Sequence, residues 1–258
     1  MILMRFLPDI LKEMLKNVPS LLFDVVDWKE LTHVLPIMSK RILSRDQVLP
    51  LLKDIESEFS TYQLQFSEEL QGQKTTELTE SEKKEIATNL LKIYFQQLYN
   101  PQGQLLDLRS DFFSYKDQIL LWKPNGIWAS WKQEFQTGLI DVYKGFYLQE
   151  EDLFRSGLKA IGLIQEQWSQ DDQDQMASLF KNHFGSSLSA EMNFNIDDFK
   201  NSFINIFHFL LEKKVRMSAD FMYLGLMLVT LYLHLEELNQ PLNVRTIFID
   251  VMKKNQAI

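Results

Sequence analysis

Three aspartates in the middle of the chain could do acid–base chemistry. Asp107, Asp111 and Asp117 lie between a predicted helix and a predicted β-hairpin. At such a position a carboxylate can project into a cleft and act as a general base. Acids on loops are also common on any acidic protein surface, and a solvent-exposed surface is the simpler interpretation of these three residues.

Other catalytic and metal-binding patterns are absent from the sequence. The chain has no cysteine, which excludes thiolate catalysis, disulfides and cysteine-bound metals. Its four histidines form no HxH, HExxH or HxxxH pair, and there is no GxSxG nucleophile motif. No glycine precedes Gly72, and the later glycines form no phosphate-binding loop. His208 and His234 lie inside apolar helical patterns and are predicted to be core residues.

The composition limits the classes of partner. The formal net charge of −8 and the isoelectric point near 5.1 argue against nucleic-acid binding, because Lys and Arg are interspersed with acids rather than clustered. The same charge argues against electrostatic attachment to anionic lipid. The most apolar stretch, 221–235, is shorter than the ~20 residues of a spanning helix, so we expect a buried core helix and no transmembrane span. The lack of cysteine fits a cytoplasmic protein.

Helices are expected to position the candidate side chains, because apolar residues recur three and four apart along most of the chain. We predict an N-terminal helical segment over 1–70, a polar linker over 71–78, and a helical domain over 79–258. The last helix of the N-terminal segment is predicted at about 48–70.

The start of the helical domain carries a specific signal. Thr79 followed by Glu82 is a capping box, in which the hydroxyl and the carboxylate satisfy unpaired backbone donors. After this first helix, further helices are predicted at 133–149, 151–168, 172–184, 196–214, 218–239 and 243–254.

One short β-hairpin is predicted near 119–131, where the sequence reads ILLWKPNGIWASW. Two apolar runs flank Pro124-Asn125-Gly126, which suits a turn because proline fixes φ and asparagine or glycine accepts positive φ. Aromatic side chains here could stack on a flat ligand, but packing onto neighbouring helices is commoner and is the interpretation that we favour. The stretch holds three tryptophans, Trp122, Trp128 and Trp131.

The order of these elements resembles that of a kinase C-lobe. More specifically, residues 79 to 254 resemble the AarF/UbiB family of atypical kinases. ATNLLKIYFQQLYNPQGQLLDL is similar to the helix before the family's catalytic loop, with Gln97-Leu98-Tyr99 in place of its QIF element and Gly103 in place of its glycine. ILLWKPNGIWASW is similar to the hairpin that follows, and FMYLGLMLVTLYLHLEELNQPLN to the C-terminal helix. The resemblance implies a mainly α, kinase C-lobe-like domain with one short hairpin.

The sequence departs from the family where the family's chemistry lies. The family histidine falls at Leu106 and its catalytic aspartate at Leu108, one residue after Asp107. In the C-terminal helix, Leu226 and Thr230 replace the family's arginine and glycine.

The strands and the N-terminus depart as well. The DFG aspartate falls at Ser130 or Trp131, and Asp117-Gln118 lies nearest to the family's metal-binding asparagine. A helical, glycine-free N-terminus stands where a nucleotide-binding small lobe would be, so that lobe is expected to be missing.

The resemblance implies, as the leading hypothesis, a non-catalytic, pseudokinase-like protein that binds or regulates and needs no cofactor. The family's link to quinone and isoprenoid lipid metabolism implies a protein partner or an apolar ligand. It also implies a cytoplasmic location with peripheral contact to the inner face of the membrane. Fold alone does not establish any of these functions.

Two alternatives stay open. The first is an active ATP-dependent phosphotransferase or ATPase with a rearranged site, in which Asp107 and Asp111 are catalytic and Asp117 and Gln118 hold magnesium. Only this alternative requires ATP and Mg²⁺ as cofactors. The second is a plain helical protein-interaction module whose kinase-like order is accidental.

Overall fold

The computed structural model describes residues 8–43, 49–185, 187–188 and 190–256. These residues are mainly helical with two small sheets, which confirms the predicted mainly α class with a short hairpin. The helices are α1 (Asp9–Lys16), α2 (Leu22–Val25), α3 (Trp28–Leu43), α4 (Leu49–Ser60), α5 (Glu80–Gln97), α6 (Gln133–Leu148), α7 (Glu151–Ala160), α8 (Gln170–His183), α9 (Ile196–Glu212), α10 (Ala219–Leu238) and α11 (Val244–Gln256). The strands are β1 (Leu64–Phe66), β2 (Gln104–Leu105), β3 (Phe113–Lys116), β4 (Ile119–Trp122) and β5 (Trp128–Ala129).

Local capping contacts determine where several helices begin. Thr79 Oγ1 accepts a hydrogen bond from the Glu82 N–H at 3.4 Å, and the Glu82 carboxylate accepts one from the Thr79 N–H at 2.8 Å. The predicted capping box is therefore present at the start of α5. At α9, Asn195 Oδ1 accepts hydrogen bonds from the N–H groups of Asp197 and Asp198. Both caps satisfy donors that a first helical turn leaves unpaired.

Strand β4 is the centre of a three-stranded sheet in the order β1-β4-β3. It runs parallel to β1 and antiparallel to β3, so that Leu120 lies opposite Leu64 on one side and Tyr115 on the other. The short strands β2 and β5 pair antiparallel in a second sheet, with Leu105 opposite Trp128.

The short hairpin lies at 113–122 rather than near 119–131. Its turn is Asp117-Gln118, where φ is 51° and 67°, as in the two-residue hairpin turns that need positive φ at both positions. Pro124-Asn125-Gly126 instead carries the chain from one sheet to the other. The two predicted strands therefore both exist, but each pairs with a strand from earlier in the sequence.

The helix predicted at about 48–70 is shorter than expected. It ends at Ser60, Gln63 has a φ of 55°, and the next three residues form β1. Residue 48, its predicted start, lies outside the described residues. Leu64 is buried and the Phe66 ring lies 5.7 Å from that of Trp122, so sheet pairing and aromatic packing replace the last helical turns.

Helix α7 also ends early, at Ala160 rather than near residue 168. Gly162 has a φ of 83°, and the Leu163 N–H donates to the Leu158 carbonyl at 2.9 Å. This is the glycine-dependent hydrogen-bond pattern that commonly ends helices.

The described parts of the N-terminal segment share one hydrophobic core with the rest of the chain. The Met217 N–H donates to the Val25 carbonyl at 2.7 Å, and the Asp27 N–H donates to the Met217 carbonyl at 2.8 Å. Within 71–78, Gln73 exchanges two backbone hydrogen bonds with Tyr115. The division into segment, linker and domain remains a prediction.

Helix α10 occupies the core and contacts α1, α3, α5 and α9. Among the described residues it is the one helix long and apolar enough to cross a membrane, with a mean hydropathy of 1.3. Within the protein, however, 72% of that apolar window is buried. It is therefore the core helix that the sequence predicts at 218–239, and the described ranges contain no clear membrane span.

Helices α6 and α7 approach so closely that their backbones touch. A Cβ atom added at Gly157 would lie 2.6 Å from the Gly138 carbonyl oxygen and from the backbone nitrogen of Val142. One added at Gly138 would lie 2.5 Å from the Cβ of Ala160. Because real Cβ atoms do not make such contacts, a larger residue would force the two helices apart.

We expect Gly157→Ala to destabilise the protein, although the same change inside an ordinary helix stabilises by ~1 kcal/mol. The added methyl overpacks the contact, so the free energy of unfolding should fall by about 1–3 kcal/mol in urea titrations followed by circular dichroism. Gly225→Ala in α10 is the control, because its Cβ would lie 3.5 Å from Leu22 Cδ2, an ordinary contact. Stabilisation by Gly157→Ala would contradict the packing described for α6 and α7.

Candidate functional site

The residues that the predicted resemblance aligns with a kinase catalytic loop lie at 105–109, a stretch that is buried at 105–108 and half-buried at Arg109 and that we call the buried segment. The side chains of Leu106 and Leu108 are fully buried, and Asp107 is 3% exposed. Backbone N–H and C=O groups in such a place need partners from the protein, because water does not reach them. Those partners come from α5, from the residue before β5, and from α10.

The first partners come from the end of α5 and the approach to β5. Gln97 Oε1 accepts a hydrogen bond from the Leu105 N–H at 2.7 Å, and the Ile127 carbonyl accepts one from the Leu106 N–H at 2.9 Å. Gln97 is fully buried. Its burial and its hydrogen bond to the Leu105 N–H give this glutamine, the first residue of the stretch predicted to resemble a QIF element, a structural role.

Helix α10 supplies further partners, for Leu106 and Leu108. Thr230 Oγ1 donates to the Leu106 carbonyl at 2.8 Å and accepts from the Leu108 N–H at 3.1 Å. One turn later, His234 Nδ1 lies 2.9 Å from the Leu108 carbonyl, which requires a proton on that nitrogen. Under the predicted resemblance, Thr230 stands at the position of a glycine, and Leu106 and Leu108 stand at the positions of a histidine and a catalytic aspartate.

Asp107 is held from two sides. The Arg109 side chain donates two hydrogen bonds to its carboxylate, from Nε to Oδ1 at 2.8 Å and from Nη2 to Oδ2 at 2.5 Å. Asn125 Nδ2 donates to the same Oδ2 at 2.6 Å, while Asn125 Oδ1 accepts from the Ile127 N–H at 3.0 Å. A two-point arginine–carboxylate pair of this kind is strong and orients both groups. The arrangement joins the buried segment to the turn at 124–126.

The other predicted site residues lie on the surface. Asp111 is exposed in a short 3₁₀ turn, Ser110–Phe112. Asp117 and Gln118 are exposed at the turn of the hairpin. In the described part of the chain, no group of three or more His, Cys, Asp or Glu side chains could hold a metal ion. The structure therefore does not gather these residues with Asp107 into one metal-binding group.

The three tryptophans of the stretch 119–131 contribute to packing. Trp122 is 1% exposed and stacks on Phe113 with ring centroids 5.1 Å apart. Trp131 is also buried. The Arg41 guanidinium carbon lies 3.8 Å above the Trp128 ring, a cation–π contact, and Arg41 also donates to the Trp128 carbonyl. These contacts agree with aromatic burial rather than with an open stacking site.

A second group of polar side chains surrounds Asp220, which no sequence motif singles out. Asp220 is 4% exposed, and its Oδ1 accepts a hydrogen bond from the Lys132 N–H at 3.3 Å. Lys132 Nζ lies 3.1 Å from Glu30 Oε1, and Glu30 Oε2 accepts from the Ala219 N–H at 2.8 Å. Burial raises the pKa of Asp220 above its usual value.

Asp220 lines a cavity of about 210 Å³ between the start of α6, the end of α7 and the start of α10. We call it the Asp220 cavity. An acid in the first turn of a helix is ordinary, so sequence reasoning missed this residue. The only signal is that it opens an otherwise almost continuously apolar helix. The polar residues of the cavity wall are Lys132, Glu134, Gln165, Arg216, Ser218 and Asp220.

The histidines of the helices differ in their exposure to solvent. His234 is buried as predicted, and burial lowers its pKa to about 4. Burial also lowers the pKa of His183 to about 4, and its Nδ1 lies 2.8 Å from Ser202 Oγ. The prediction that His208 is a core residue is wrong, because His208 shares the exposed face of α9 with Asp197 and Asn201.

Comparison with known proteins does not assign the chain to a family. No protein-family model matches its sequence, and no curated protein matches it. The AarF/UbiB resemblance therefore remains a prediction from the quoted residues.

We expect Thr230→Val to destabilise the protein. The substitution keeps the side-chain shape but leaves the Leu106 carbonyl and the Leu108 N–H without their partner. The cost of such buried, unpaired groups is about 1–3 kcal/mol in the free energy of unfolding, measured by urea titration. Thr246→Val on the exposed face of α11 is the control and should change stability by less than about 0.5 kcal/mol. Equal effects of both substitutions would refute the role of Thr230.

We expect acid to weaken the fold partly through the buried histidines. Because the folded pKa of His234 lies below the unfolded value of ~6.5, unfolding takes up a proton and stability falls as pH drops from about 7 towards 4. One such histidine accounts for about 2 kcal/mol between pH 7 and pH 5. Urea titrations at several pH values should show that His234→Asn, which keeps a donor for the Leu108 carbonyl, removes that share of the pH dependence.

The exposed His208 provides the matched control for this measurement. His208→Gln should leave the pH dependence of stability as it is in the unchanged protein. If His234→Asn and His208→Gln have the same pH profile, burial of His234 does not govern the acid response.

Proposed function

We propose that this protein is a non-catalytic, pseudokinase-like protein that works by binding. The observation that carries the proposal is the burial and hydrogen bonding of the buried segment. The positions that resemble the family's histidine and catalytic aspartate are Leu106 and Leu108, both fully buried, and the neighbouring Asp107 is paired with Arg109 and Asn125.

This state supports binding rather than phosphoryl transfer for a physical reason. Phosphoryl transfer depends on carboxylates that reach the substrate hydroxyl and the magnesium ions. Four donor groups of Arg109 and Asn125 occupy the Asp107 carboxylate, and an aspartate used in this way stabilises the fold. To act as a base, Asp107 would have to break these contacts and reach solvent.

The class of ligand can be narrowed by cavity size. The apolar crevice between α9 and α10, lined by Phe199, Phe203 and Phe207 among others, holds only about 20 Å³. Typical small-molecule pockets measure roughly 300–1,000 Å³. A quinone or isoprenoid chain would need that crevice to open, so a protein partner or a small polar ligand fits the described residues better.

The proposed location is the cytoplasm, with contact to the inner face of the membrane if the partner is a membrane protein. The lack of cysteine supports a reducing compartment. The plain interaction module remains the simplest form of the binding function.

We expect no nucleotide-dependent stabilisation. A thermal shift assay with Mg²⁺ and a non-hydrolysable ATP analogue should leave the Tm of the unchanged protein where it is without nucleotide. Asp107→Asn should lower the free energy of unfolding by about 2 kcal/mol or more, because Arg109 loses its charged partner. Asp111→Asn, at an exposed position, should change it by less than about 0.5 kcal/mol.

A magnesium-dependent rise in Tm that disappears in Asp107→Asn or Asp111→Asn would overturn the proposal. That outcome would favour the active phosphotransferase or ATPase, with Asp117 and Gln118 as the next residues to test for magnesium binding.

A further inference from the structure

We infer that the Asp220 cavity binds a small molecule carrying a protonated amine, with the amine donating to the Asp220 carboxylate. The inference rests on the proposed binding function and deepens it by naming a ligand class. It is carried by the hydrogen bonding of Asp220, the balance of charges around it, and the size and lining of the cavity.

Asp220 has acceptor capacity that the protein does not use. An ionised carboxylate can accept about four hydrogen bonds. Oδ1 accepts one, from the Lys132 N–H at 3.3 Å, and Oδ2 accepts none from the described residues. Buried carboxylates are normally paired or fully hydrogen-bonded. Asp107, which is equally buried, shows how this chain satisfies a carboxylate when its role is structural.

The charges near Asp220 are unbalanced. Lys132 Nζ pairs with Glu30, and the pKa of Glu30 is lowered by the Ala219 N–H, so Glu30 stays ionised. Two carboxylates, Glu30 and Asp220, therefore share the Lys132 ammonium group, while the exposed Arg216 and Glu134 of the cavity wall carry opposite charges that offset each other. A cation placed beside Asp220 would balance the second carboxylate and offset its desolvation.

The walls of the cavity indicate a short and partly polar ligand. Its volume of about 210 Å³ gives room for about seven water-sized groups. Phe135 and Ile161 supply apolar surface, while Gln165 and Ser218 supply hydrogen-bonding groups. The side chains of Glu134 and Arg216 are exposed to solvent and stand at the open side. An alkylamine with a hydroxyl group matches this lining.

The test is a calorimetric titration of the full chain with ethanolammonium chloride. We expect a Kd in the millimolar range, because a ligand of so few atoms gains little binding energy. Sodium acetate and ethylene glycol, which lack the amine, should not bind. Asp220→Asn should weaken ethanolammonium binding by about tenfold or more, because it removes the charge but keeps an oxygen for the Lys132 N–H.

Two further variants separate the site from general effects of charge or folding. Asp198→Asn removes an acid from the first turn of α9, at an exposed position, and should leave ethanolammonium binding unchanged. Glu134→Lys adds a cation at the open side without altering the core and should weaken binding several-fold. Circular dichroism of each variant checks that it is folded.

No binding of ethanolammonium to the unchanged protein would overturn the inference, and so would equal binding by a folded Asp220→Asn. The nucleotide experiment distinguishes this failure from failure of the proposed function. If neither ethanolammonium nor nucleotide binds, the amine ligand is withdrawn and the binding function stands. If nucleotide binds through Asp107, the non-catalytic function fails whatever the amine result.

Discussion

The backbone of residues 105–109 runs through the core without forming a helix, and its polar groups must find partners there. This requirement explains why polar residues lie in otherwise apolar elements. Gln97 ends a helix that packs in the core, and Thr230 and His234 lie one turn apart on the buried helix α10. Each of them binds a backbone group of the buried segment. These hydrogen bonds hold the middle of α10 against the buried segment, and α1, α3, α5 and α9 contact the same helix.

Three aspartates differ in how far they are buried and in how many hydrogen bonds their carboxylates accept. Asp107 is buried and paired with Arg109 and Asn125, Asp111 is exposed to solvent, and Asp220 is buried and accepts one long hydrogen bond from the residues that the structure describes. Only the last combines a high cost of burial with unused bonding capacity. Helix α10 thus serves two purposes, since its middle holds the buried segment and its first turn faces a cavity. The Asp220 carboxylate lies outside the stretch in which the sequence places chemistry.

What could be predicted from the sequence was mostly local. The Thr79 capping box, the starts of most helices and the burial of His234 depend on neighbouring residues, and they were predicted correctly. Strand pairing depends on distant residues. Asp117-Gln118 is a weaker turn signal than Pro124-Asn125-Gly126, yet it closes the hairpin because β3 has the matching register. His208 was misjudged because the face on which it falls is decided by packing rather than by average hydrophobicity.

The candidate site shows the same limit. Asp107 was singled out, but its pairing with Asn125 joins residues 18 apart in sequence, and no local pattern indicates it. Asp220 looks like any acid that begins a helix. Its burial arises because α3, α6 and α10 meet around it through the contacts of Glu30, Lys132 and Ala219. Such a cluster exists only once the tertiary structure is complete.

The pairing of β1 with β4 and the packing of α1 on α10 also constrain the order of folding. Strand β1 leaves the ribosome well before β4, and α1 well before its partner α10 near the other end of the chain. Until β4 and α10 have been synthesised, the apolar surfaces of β1 and α1 lack these partners. Long-range contacts of this kind slow folding, and until they form they leave apolar surface exposed to aggregation. Strand β1 and helix α1 therefore reach their final contacts only after these later elements have been synthesised.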